Sequence, residues 1–255
     1  MKNLHKSYYK DYFDKVTFSL NRKGKLQVKG APNDIVKENI VKESEFYKKI
    51  SEDWEQELSI ERVIFEVQYS GLVTGVGIQH GVGAKGEYML GMHFDYTYGL
   101  PIVYGSSVKG VLKSYFKECY DGEKNPDELV ADIFESKYYE TDALKPLHER
   151  DLFFDAVISK PNESGKILDK DALAPHGGKK HDDPFAEPVP IPFIKIASGV
   201  QLAFRFRLKE TKDKTGEVIM SKDDKKNLFK QILETYGVGA KTNVGYGLLK
   251  YVEGI

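Results

Sequence analysis

The sequence predicts an α+β fold, because segments with the two-residue alternation of β-strands are separated by segments with helical periodicity. Apolar and polar residues alternate from residue 62 to 69, which is typical of a half-buried strand. Helical segments open near Ser106 and after Ser221, and a short strand at about 248–252 closes the pattern. This order of strand, helix, further strands, helix and strand predicts a ferredoxin-like (RRM-like) βαββαβ core with insertions.

The chain divides into two regions. Residues 1–58 carry apolar side chains at helical spacing among many charges, which predicts a peripheral, helical N-terminal extension that docks a partner or covers the core. Residues 59–255 contain the strands and helices of the predicted core domain. Within them, the glycine- and tyrosine-rich stretch at about 71–105 and the polar stretch at about 160–188 predict loop insertions.

The helix that opens at Ser106 is amphipathic. Its apolar face consists of Val108, Val111, Leu112, Tyr115, Phe116 and Cys119. Lys109 and Lys113 lie on another face, and Lys109 falls in the first turn, where a cation opposes the helix dipole. An anion bound at this helix start would relieve the conflict. A solvated stripe of lysines is the alternative explanation.

A later strand, at residues 200–208, has one apolar face and one basic face. Arg205, Arg207 and Lys209 share the basic face, because side chains alternate along a strand. If helices cover only one side of the sheet, these cations lie on the open side and suit a polyanion. Ion pairs with neighbouring acidic residues are the alternative.

Residues 237–247, with the sequence GVGAKTNVGYG, separate the second helix from the last strand. Glycines let backbone N–H groups approach an anion closely, and Lys241, Thr242 and Asn243 add a charge and hydrogen-bonding groups. The order helix, loop, strand excludes the dinucleotide-binding fingerprint, which needs a strand before the loop. A Walker motif is excluded as well, because Ala240 stands where that motif requires glycine.

Two of these glycines are predicted to be indispensable. We expect Gly239 and Gly245 to adopt backbone angles, or to approach a bound polyanion so closely, that a Cβ would clash. Because the loop lies outside the predicted core, substitutions such as Gly239→Val are expected to leave thermal stability nearly normal while they weaken binding.

Composition limits the class of protein further. The 38 basic and 39 acidic residues give a formal net charge of -1, which argues against binding nucleic acid through bulk charge. The single cysteine, Cys119, excludes an internal disulfide and fits a reducing compartment. No apolar run approaches the length of a membrane span, and the N-terminus has no signal-peptide pattern. These features predict a cytoplasmic protein.

Histidines are the remaining candidates for chemistry. His80, His93, His176 and His181 are each available as a general acid or base. Asp155, in an otherwise apolar strand, is a candidate for assisting cleavage, but its position is typical of a structural hydrogen-bond acceptor. No spacing of cysteines and histidines predicts a metal site, and no cofactor is predicted. A metal-independent catalytic role for one of these side chains therefore stays open as an alternative.

Several segments resemble a known family. The segment GLPIVYGSSVKG at residues 99–110 is similar to the strand-to-helix signature of the RAMP proteins of CRISPR effector complexes. Residues 237–247 are similar to the glycine-rich loop that precedes their last strand. The segments APH at 174–176 and PVPIPF at 188–193 resemble the sixth-subunit family of the type III-B Cmr complex. The resemblance spans roughly residues 61–252, with one departure at Tyr104, where the family usually has proline.

The resemblance implies a non-catalytic RNA-binding backbone subunit of a type III-B CRISPR (Cmr) ribonucleoprotein in antiviral defence. Its partners would be guide CRISPR RNA, target RNA and other subunits of the Cmr complex, with no membrane contact. RNA would be held through its backbone and by stacking rather than through base edges. The alternatives are a guide-processing endoribonuclease of the same superfamily and a purely architectural protein–protein adaptor. The residues predicted to bind RNA are Ser106, Ser107, Lys109, Lys113, Arg205, Arg207, Gly237, Gly239, Lys241, Thr242, Asn243 and Tyr246.

Overall fold

The computed structural model describes residues 3–33, 58–78, 80–173 and 190–252. The α-helices in these ranges are α1 (Leu4–Tyr9), α2 (Gly105–Cys119), α3 (Pro126–Glu135) and α4 (Lys222–Tyr236). The strands are β1 (Thr17–Leu20), β2 (Leu26–Lys29), β3 (Glu61–Val67), β4 (Ile102–Val103), β5 (Leu152–Phe153), β6 (Ala156–Lys160), β7 (Leu168–Leu173), β8 (Ile191–Ile196), β9 (Gln201–Arg207), β10 (Thr211–Lys212), β11 (Val218–Met220) and β12 (Leu249–Tyr251). The fold is therefore mixed α/β with antiparallel sheets.

The largest sheet has six strands. Its path runs β12–β3–β9–β6–β4, and β5 also pairs with β9. At the centre, β3 pairs with β9 so that Val63 lies opposite Phe204. The last strand, β12, pairs with the other edge of β3, where Leu249 lies opposite Val67. The first and last strands of the predicted core are thus neighbours in the sheet, because β12 pairs directly with β3.

Two long helices pack on this sheet. The alternation predicted for β3 directs Val63, Phe65 and Val67 into one hydrophobic cluster, and the apolar faces of α2 and α4 enter the same cluster. The two helices also pack against each other, and the rings of Tyr115 and Tyr236 stack with their centroids 3.7 Å apart. Burial of this apolar surface supplies the main stabilisation of the fold.

The sheet has two ends that matter for function, which we call the Glu61 end and the Val67 end after the first and last residues of β3. Helix α2 starts at the Glu61 end. Its first residue, Gly105, lies directly against Phe153, since a Cβ built on Gly105 would be 2.4 Å from the Phe153 carbonyl oxygen. Phe153 in turn pairs with Phe206, which pairs with Glu61. Residues 237–247 lie at the Val67 end, where β12 begins. At about 3.4 Å per residue, β3 separates these two ends by roughly 20 Å.

The N-terminal region differs from its sequence prediction. Residues 17–29 form the β1–β2 hairpin rather than a helix, because Asn21 accepts the backbone N–H groups of Lys23 and Lys25 and Gly24 adopts a φ of 70° to close the turn. The start of the chain is not peripheral either, since Tyr8 and Tyr12 are fully buried. The short helix α1 therefore belongs to the core.

Both predicted insertions contain ordered structure. The stretch that follows β3 is tied to the rest of the fold by isolated bridges, including Leu72 with Ile196 and Val73 with Ala240. The second insertion contains β7, which pairs antiparallel with β8 just beyond it. The helical pattern predicted for residues 34–57, the segment 174–176, His176 and His181 lie outside the described residues.

Candidate nucleic-acid interface

The glycine loop, residues 237–247, lies against the chain that follows β3. Gly239 has a φ of 97°, and a Cβ built there would lie 2.5 Å from the Val73 carbonyl oxygen. Gly245 has a φ of 91°, but its Cβ would meet only the Ser70 hydroxyl at 3.9 Å. Because side chains strain such backbone angles, the predicted need for glycine holds at both positions. The expectation of nearly normal stability after substitution is wrong for Gly239, where a side chain would overlap the backbone.

Most backbone N–H groups of the glycine loop are used inside the protein. Ala240 donates to the Val73 carbonyl at 2.8 Å, and Gly247 donates to the Gly71 carbonyl at 2.8 Å. The N–H of Val238 closes the loop on itself through the Gly247 carbonyl at 3.0 Å. These bonds fix the loop on the Val67 end of the sheet, so its shape is set before any ligand arrives.

Three consecutive backbone N–H groups of the loop have no hydrogen-bond acceptor among the described residues. They belong to Lys241, Thr242 and Asn243. Lys241 is left-handed, with φ 63° and ψ 32°, and it leads directly into the right-handed 3-10 turn Thr242–Val244. A left-handed residue followed by a right-handed one turns successive N–H groups toward a common point, which creates an anion-binding concavity. We call these three residues the nest.

Tyr246 lies beneath the nest rather than on its surface. Its ring is 7% exposed and packs with Phe193. Its hydroxyl donates to Asp171 Oδ2 at 2.9 Å, and Lys195 Nζ donates to the same oxygen at 2.5 Å. Burial, together with the hydrogen bond to this carboxylate, raises the pKa of Tyr246 to about 12. The ring offers almost no surface for a stacked base, so the structure makes Tyr246 a support that ties the loop to β7.

The carboxylate of Asp171, which accepts the Tyr246 hydroxyl, is held in its charged form by its hydrogen-bond partners. Its burial acts to raise its pKa, but hydrogen bonds from Lys195, the Ala172 N–H and Tyr246 outweigh burial, and the pKa lies below its ordinary value. The side chain is therefore ionised at neutral pH. Its charge is matched by Lys195, which leaves Lys241 as the charge of the glycine loop itself.

The second predicted anion site, at the start of α2, already holds an anion from the chain. Asp155 Oδ1 accepts the N–H of Gly105 at 2.7 Å. The N–H of Ser107 donates to the Tyr104 carbonyl at 2.8 Å. The carboxylate of Asp155 therefore supplies the negative charge that the helix dipole favours, and the role predicted for Ser106 and Ser107 toward phosphate stays a prediction.

The lysines of α2 have protein partners as well. Lys109 Nζ lies 5.8 Å from the centre of the Phe153 ring, and Lys113 Nζ forms an ion pair with Glu135 at 2.9 Å. A cavity of about 350 Å³ opens beside the helix start and is lined by Ser106 and Lys109 among others. A phosphate there would meet Lys109, but the carboxylate-bearing Asp151 also belongs to the lining.

The two arginines of β9 are half-buried rather than openly exposed. Arg205 Nε donates to the Asp155 carbonyl at 3.0 Å, and Arg207 donates to the Leu147 carbonyl at 3.1 Å. Arg205 also lies directly opposite Arg62 in the sheet. Both predicted arginines therefore belong to the Glu61 end, with Asp155 joining Arg205 to the start of α2.

The two candidate histidines that fall within the described ranges have structural surroundings. His80 is 3% exposed, its two ring nitrogens lie 2.8 Å and 2.9 Å from the carbonyl oxygens of Tyr88 and Tyr8, and its ring stacks on Tyr8. His93 stacks on Tyr104 with ring centroids 4.0 Å apart. Burial lowers the pKa of His93, and Asp155 acts against that change. Among the described residues, no three histidine, cysteine or acidic side chains group as metal ligands would.

The predicted residues therefore separate into two groups. Gly237, Gly239, Lys241, Thr242, Asn243 and Tyr246 lie at the Val67 end, and Ser106, Ser107, Lys109, Arg205 and Arg207 lie toward the Glu61 end. Lys113 lies one turn beyond Lys109 on the same helix as the second group. The sequence analysis missed the contacts of Gly71 and Val73 with the glycine loop. Their only signal was a glycine-rich stretch after β3, which is too general to predict contact with a loop more than 150 residues later.

Comparison with known proteins defines the class. The family model of the RAMP superfamily matches residues 64–250, which contain both motifs and all of the large sheet except the first residues of β3 and the last residue of β12. The chain belongs to the RAMP superfamily. In the ranges that the structure describes, no helix is both long enough and apolar enough to cross a membrane.

One curated protein and one solved structure show which members of the superfamily this chain resembles. The CRISPR system CMR subunit Cmr6 of Saccharolobus solfataricus is 26% identical over 175 residues, which cover 69% of this chain and 53% of the relative. The chain thus spans about half the length of that curated protein. In a cryo-EM structure of the type III-B Cmr-beta bound to cognate target RNA, one chain superposes with a TM-score of 0.59 and 21% identity over 86% of this chain and 72% of its own length. That similarity shows a shared fold.

Proposed function

We propose that this chain is an RNA-binding backbone subunit of a type III-B Cmr complex, with the glycine loop as its main contact to RNA. The nest carries this proposal, because three N–H groups without protein partners stand beside the charge of Lys241. Phosphate is the anion that every nucleotide of an RNA strand presents, and backbone donors recognise it regardless of base sequence. The similarity to Cmr6 supports the assignment to this complex.

The arrangement of strands and helices supports a ferredoxin-like core. The order β12–β3–β9–β6 places the last strand beside the first, as a βαββαβ unit with α2 and α4 as its two helices does. We take residues 59–255 as this domain and residues 1–58 as an extension. In a complex, the glycine loop would face guide CRISPR RNA or target RNA, while other surfaces would contact neighbouring Cmr subunits.

We assign no catalytic step to this chain. His80 and His93 are held by backbone and ring contacts, and Asp155 is engaged by the N–H of Gly105. An endoribonuclease would need one of these groups to reach a 2′-hydroxyl or a leaving oxygen. Incubating the chain with labelled guide-repeat RNA in EDTA tests this: we expect intact RNA, and specific cleavage would favour the nuclease alternative.

Titration with RNA tests the main proposal. The full chain is titrated with a single-stranded oligouridine, with a mixed-sequence single strand and with duplex DNA at several salt concentrations. If about four phosphates are contacted, log affinity should fall with log salt at a slope near -3. Similar affinity for both single strands supports backbone recognition. Salt-independent binding or a strong preference for duplex DNA would contradict it, and an absence of binding would favour the adaptor.

A further inference from the structure

A cavity of about 710 Å³ lies at the Glu61 end of the sheet, between α3, the start of α4 and the turn joining β10 to β11. Its volume is within the range of small-molecule sites in proteins. Of the residues that the sequence analysis assigned to anion or RNA binding, Lys209 alone lines it. Its wall carries Lys209, Lys214 and Lys222, together with Tyr138 and Thr215.

The acidic side chains in this wall are already engaged. Asp132 is buried and accepts hydrogen bonds from Lys145 and Thr211 at 2.6 Å each. Glu149 accepts the hydroxyl of Tyr138 at 2.7 Å. The remaining two are Glu210, which pairs with Lys212 at 3.2 Å, and Asp213, whose carboxylate accepts N–H groups of its own turn.

Three cations of the wall, by contrast, have no counterion. The ammonium groups of Lys209, Lys214 and Lys222 make no hydrogen bond or ion pair among the described residues. The wall carries five lysines and four carboxylates, so the net charge of the cavity is 5 - 4 = +1, and a concave wall focuses such a potential. The chemistry of the cavity therefore suits an anionic ligand.

The back of the cavity is rigid. Lys225 is fully buried and pairs with Asp151 at 2.7 Å, and its ammonium group also donates to the Lys209 carbonyl at 2.6 Å. Lys145 and Asp132 continue this buried network into the cavity wall. Since breaking buried ion pairs is costly, the cavity keeps its shape without a ligand, as small-molecule sites usually do.

Tyr138 adds a feature that a simple ion site would not need. Its ring is 37% exposed, and Lys145 Nζ lies 6.0 Å from the ring centre. We infer that this cavity binds the phosphate group of a nucleotide through Lys209, Lys214 and Lys222, and that the Tyr138 ring receives the base. Aromatic rings bind any nucleobase by stacking. This site goes beyond the proposed function, because it lies at the opposite end of the sheet from the glycine loop.

A free mononucleotide and the terminal phosphate of an RNA strand share this chemistry, and binding measurements separate them. The full chain is titrated calorimetrically with 5′-AMP, with inorganic phosphate, and with short oligouridines that carry or lack a 5′-phosphate. The test variant combines Lys214→Glu and Lys222→Glu. Lys222 is the first residue of α4, where an acidic side chain suits the helix dipole, so this variant should fold. The control is Lys85→Glu, which makes the charge change of one of these two substitutions at an exposed lysine outside the cavity.

We expect 5′-AMP or the 5′-phosphorylated strand to bind, and the double variant to weaken that binding by about tenfold or more. The Lys85→Glu control should bind 5′-AMP as the unmodified chain does, and the comparison of oligouridines with and without the 5′-phosphate separates this site from the glycine loop. Tyr138→Leu should weaken 5′-AMP but not inorganic phosphate. Failure of every phosphate ligand to bind, or equal binding by the double variant, overturns the inference. Equal affinity for 5′-AMP and phosphate overturns the role of Tyr138.

Discussion

The side-chain oxygen of Asp155 accepts the N–H of Gly105 at 2.7 Å, while its backbone carbonyl accepts Arg205 Nε at 3.0 Å. One residue thus joins the start of α2 to the basic strand β9. The anion that the sequence predicted at this helix start is present, and it comes from the protein. RNA phosphate near this point would be repelled by Asp155 while it is attracted by Lys109.

Neutralising Asp155 measures this competition. Asp155→Asn keeps an oxygen for the Gly105 N–H but removes the charge, so we expect a stability loss below about 1 kcal/mol, and Asp155→Ala should cost about 1 kcal/mol through the lost cap. If RNA passes the helix start, Asp155→Asn should also tighten RNA binding several-fold. Asp142→Asn, at an exposed carboxylate paired with Lys137, is the charge-matched control. Unchanged affinity would place the RNA path away from this helix.

Two glycine substitutions separate backbone strain from steric overlap. Gly239→Ala and Gly245→Ala both force a side chain into a positive φ, which costs about 1–2 kcal/mol. Only Gly239→Ala also drives a Cβ against the Val73 carbonyl, which should add about 1–3 kcal/mol. Urea denaturation of both variants checks the difference. Equal losses would mean that the chain after β3 moves aside freely, and the anchoring of the glycine loop would then be weaker than its hydrogen bonds indicate.

The charge of Lys241 should be visible in the salt dependence of RNA binding. Removing one phosphate contact with Lys241→Ala should make the slope of log affinity against log salt shallower by about 0.7. Lys250→Ala, at an exposed lysine on β12, is the control and should leave the slope unchanged. Fluorescence anisotropy at four or five salt concentrations gives both slopes. A shallower slope in the control alone would show that the phosphate contact is made by Lys250 on β12 and not by Lys241 in the glycine loop.

Adjacent lysines on α4 should differ greatly in their importance for stability. Lys225→Met leaves Asp151 buried without its partner, and we expect a loss of about 3–5 kcal/mol. Lys226 forms partly exposed ion pairs with Glu61 and Asp223, so Lys226→Met should cost at most about 1 kcal/mol. Thermal and chemical denaturation measure both. Similar losses in the two variants would show that the buried network is not a stabilising centre.

The hydrogen bond between Tyr246 and Asp171 should make the free energy of unfolding depend on pH in the acid range. Because the pKa of folded Asp171 lies below its ordinary value, its contribution is complete above the unfolded pKa near 4 and is lost as pH falls through the folded pKa. Tyr246→Phe removes one hydrogen bond to this carboxylate and should destabilise the protein by about 1–2 kcal/mol at pH 7. That difference should shrink near pH 3. Tyr96→Phe, at an exposed ring, should show no difference at either pH.

Sequence patterns predicted the elements of the core better than their contacts. The alternation in β3 and the apolar face of α2 predicted real elements, because burial on one side imposes a period that a single segment displays. The β1–β2 hairpin was missed, since its apolar side chains Phe18 and Leu20 are exposed and its pattern resembles that of an amphipathic surface segment.

The candidate site shows the same limit. The glycines and Lys241 predicted an anion-binding loop at residues 237–247, because glycine clusters are rare in packed segments. The burial of Tyr246 and the use of Asp155 as a cap depend on residues distant in sequence, Asp171 and Gly105. Such pairings follow from the topology of the sheet and leave no local pattern.

The hydrogen bonds from Ala240 to Val73 and from Gly247 to Gly71 also bear on how fast RNA engages. A loop held in its final shape needs no rearrangement after encounter, so association should follow a single exponential whose rate rises linearly with RNA concentration. Steering by charge would then set the rate of capture, and changes to the nest would act mainly on the lifetime of the bound state. In a long-lived ribonucleoprotein, that lifetime decides whether the subunit stays in place.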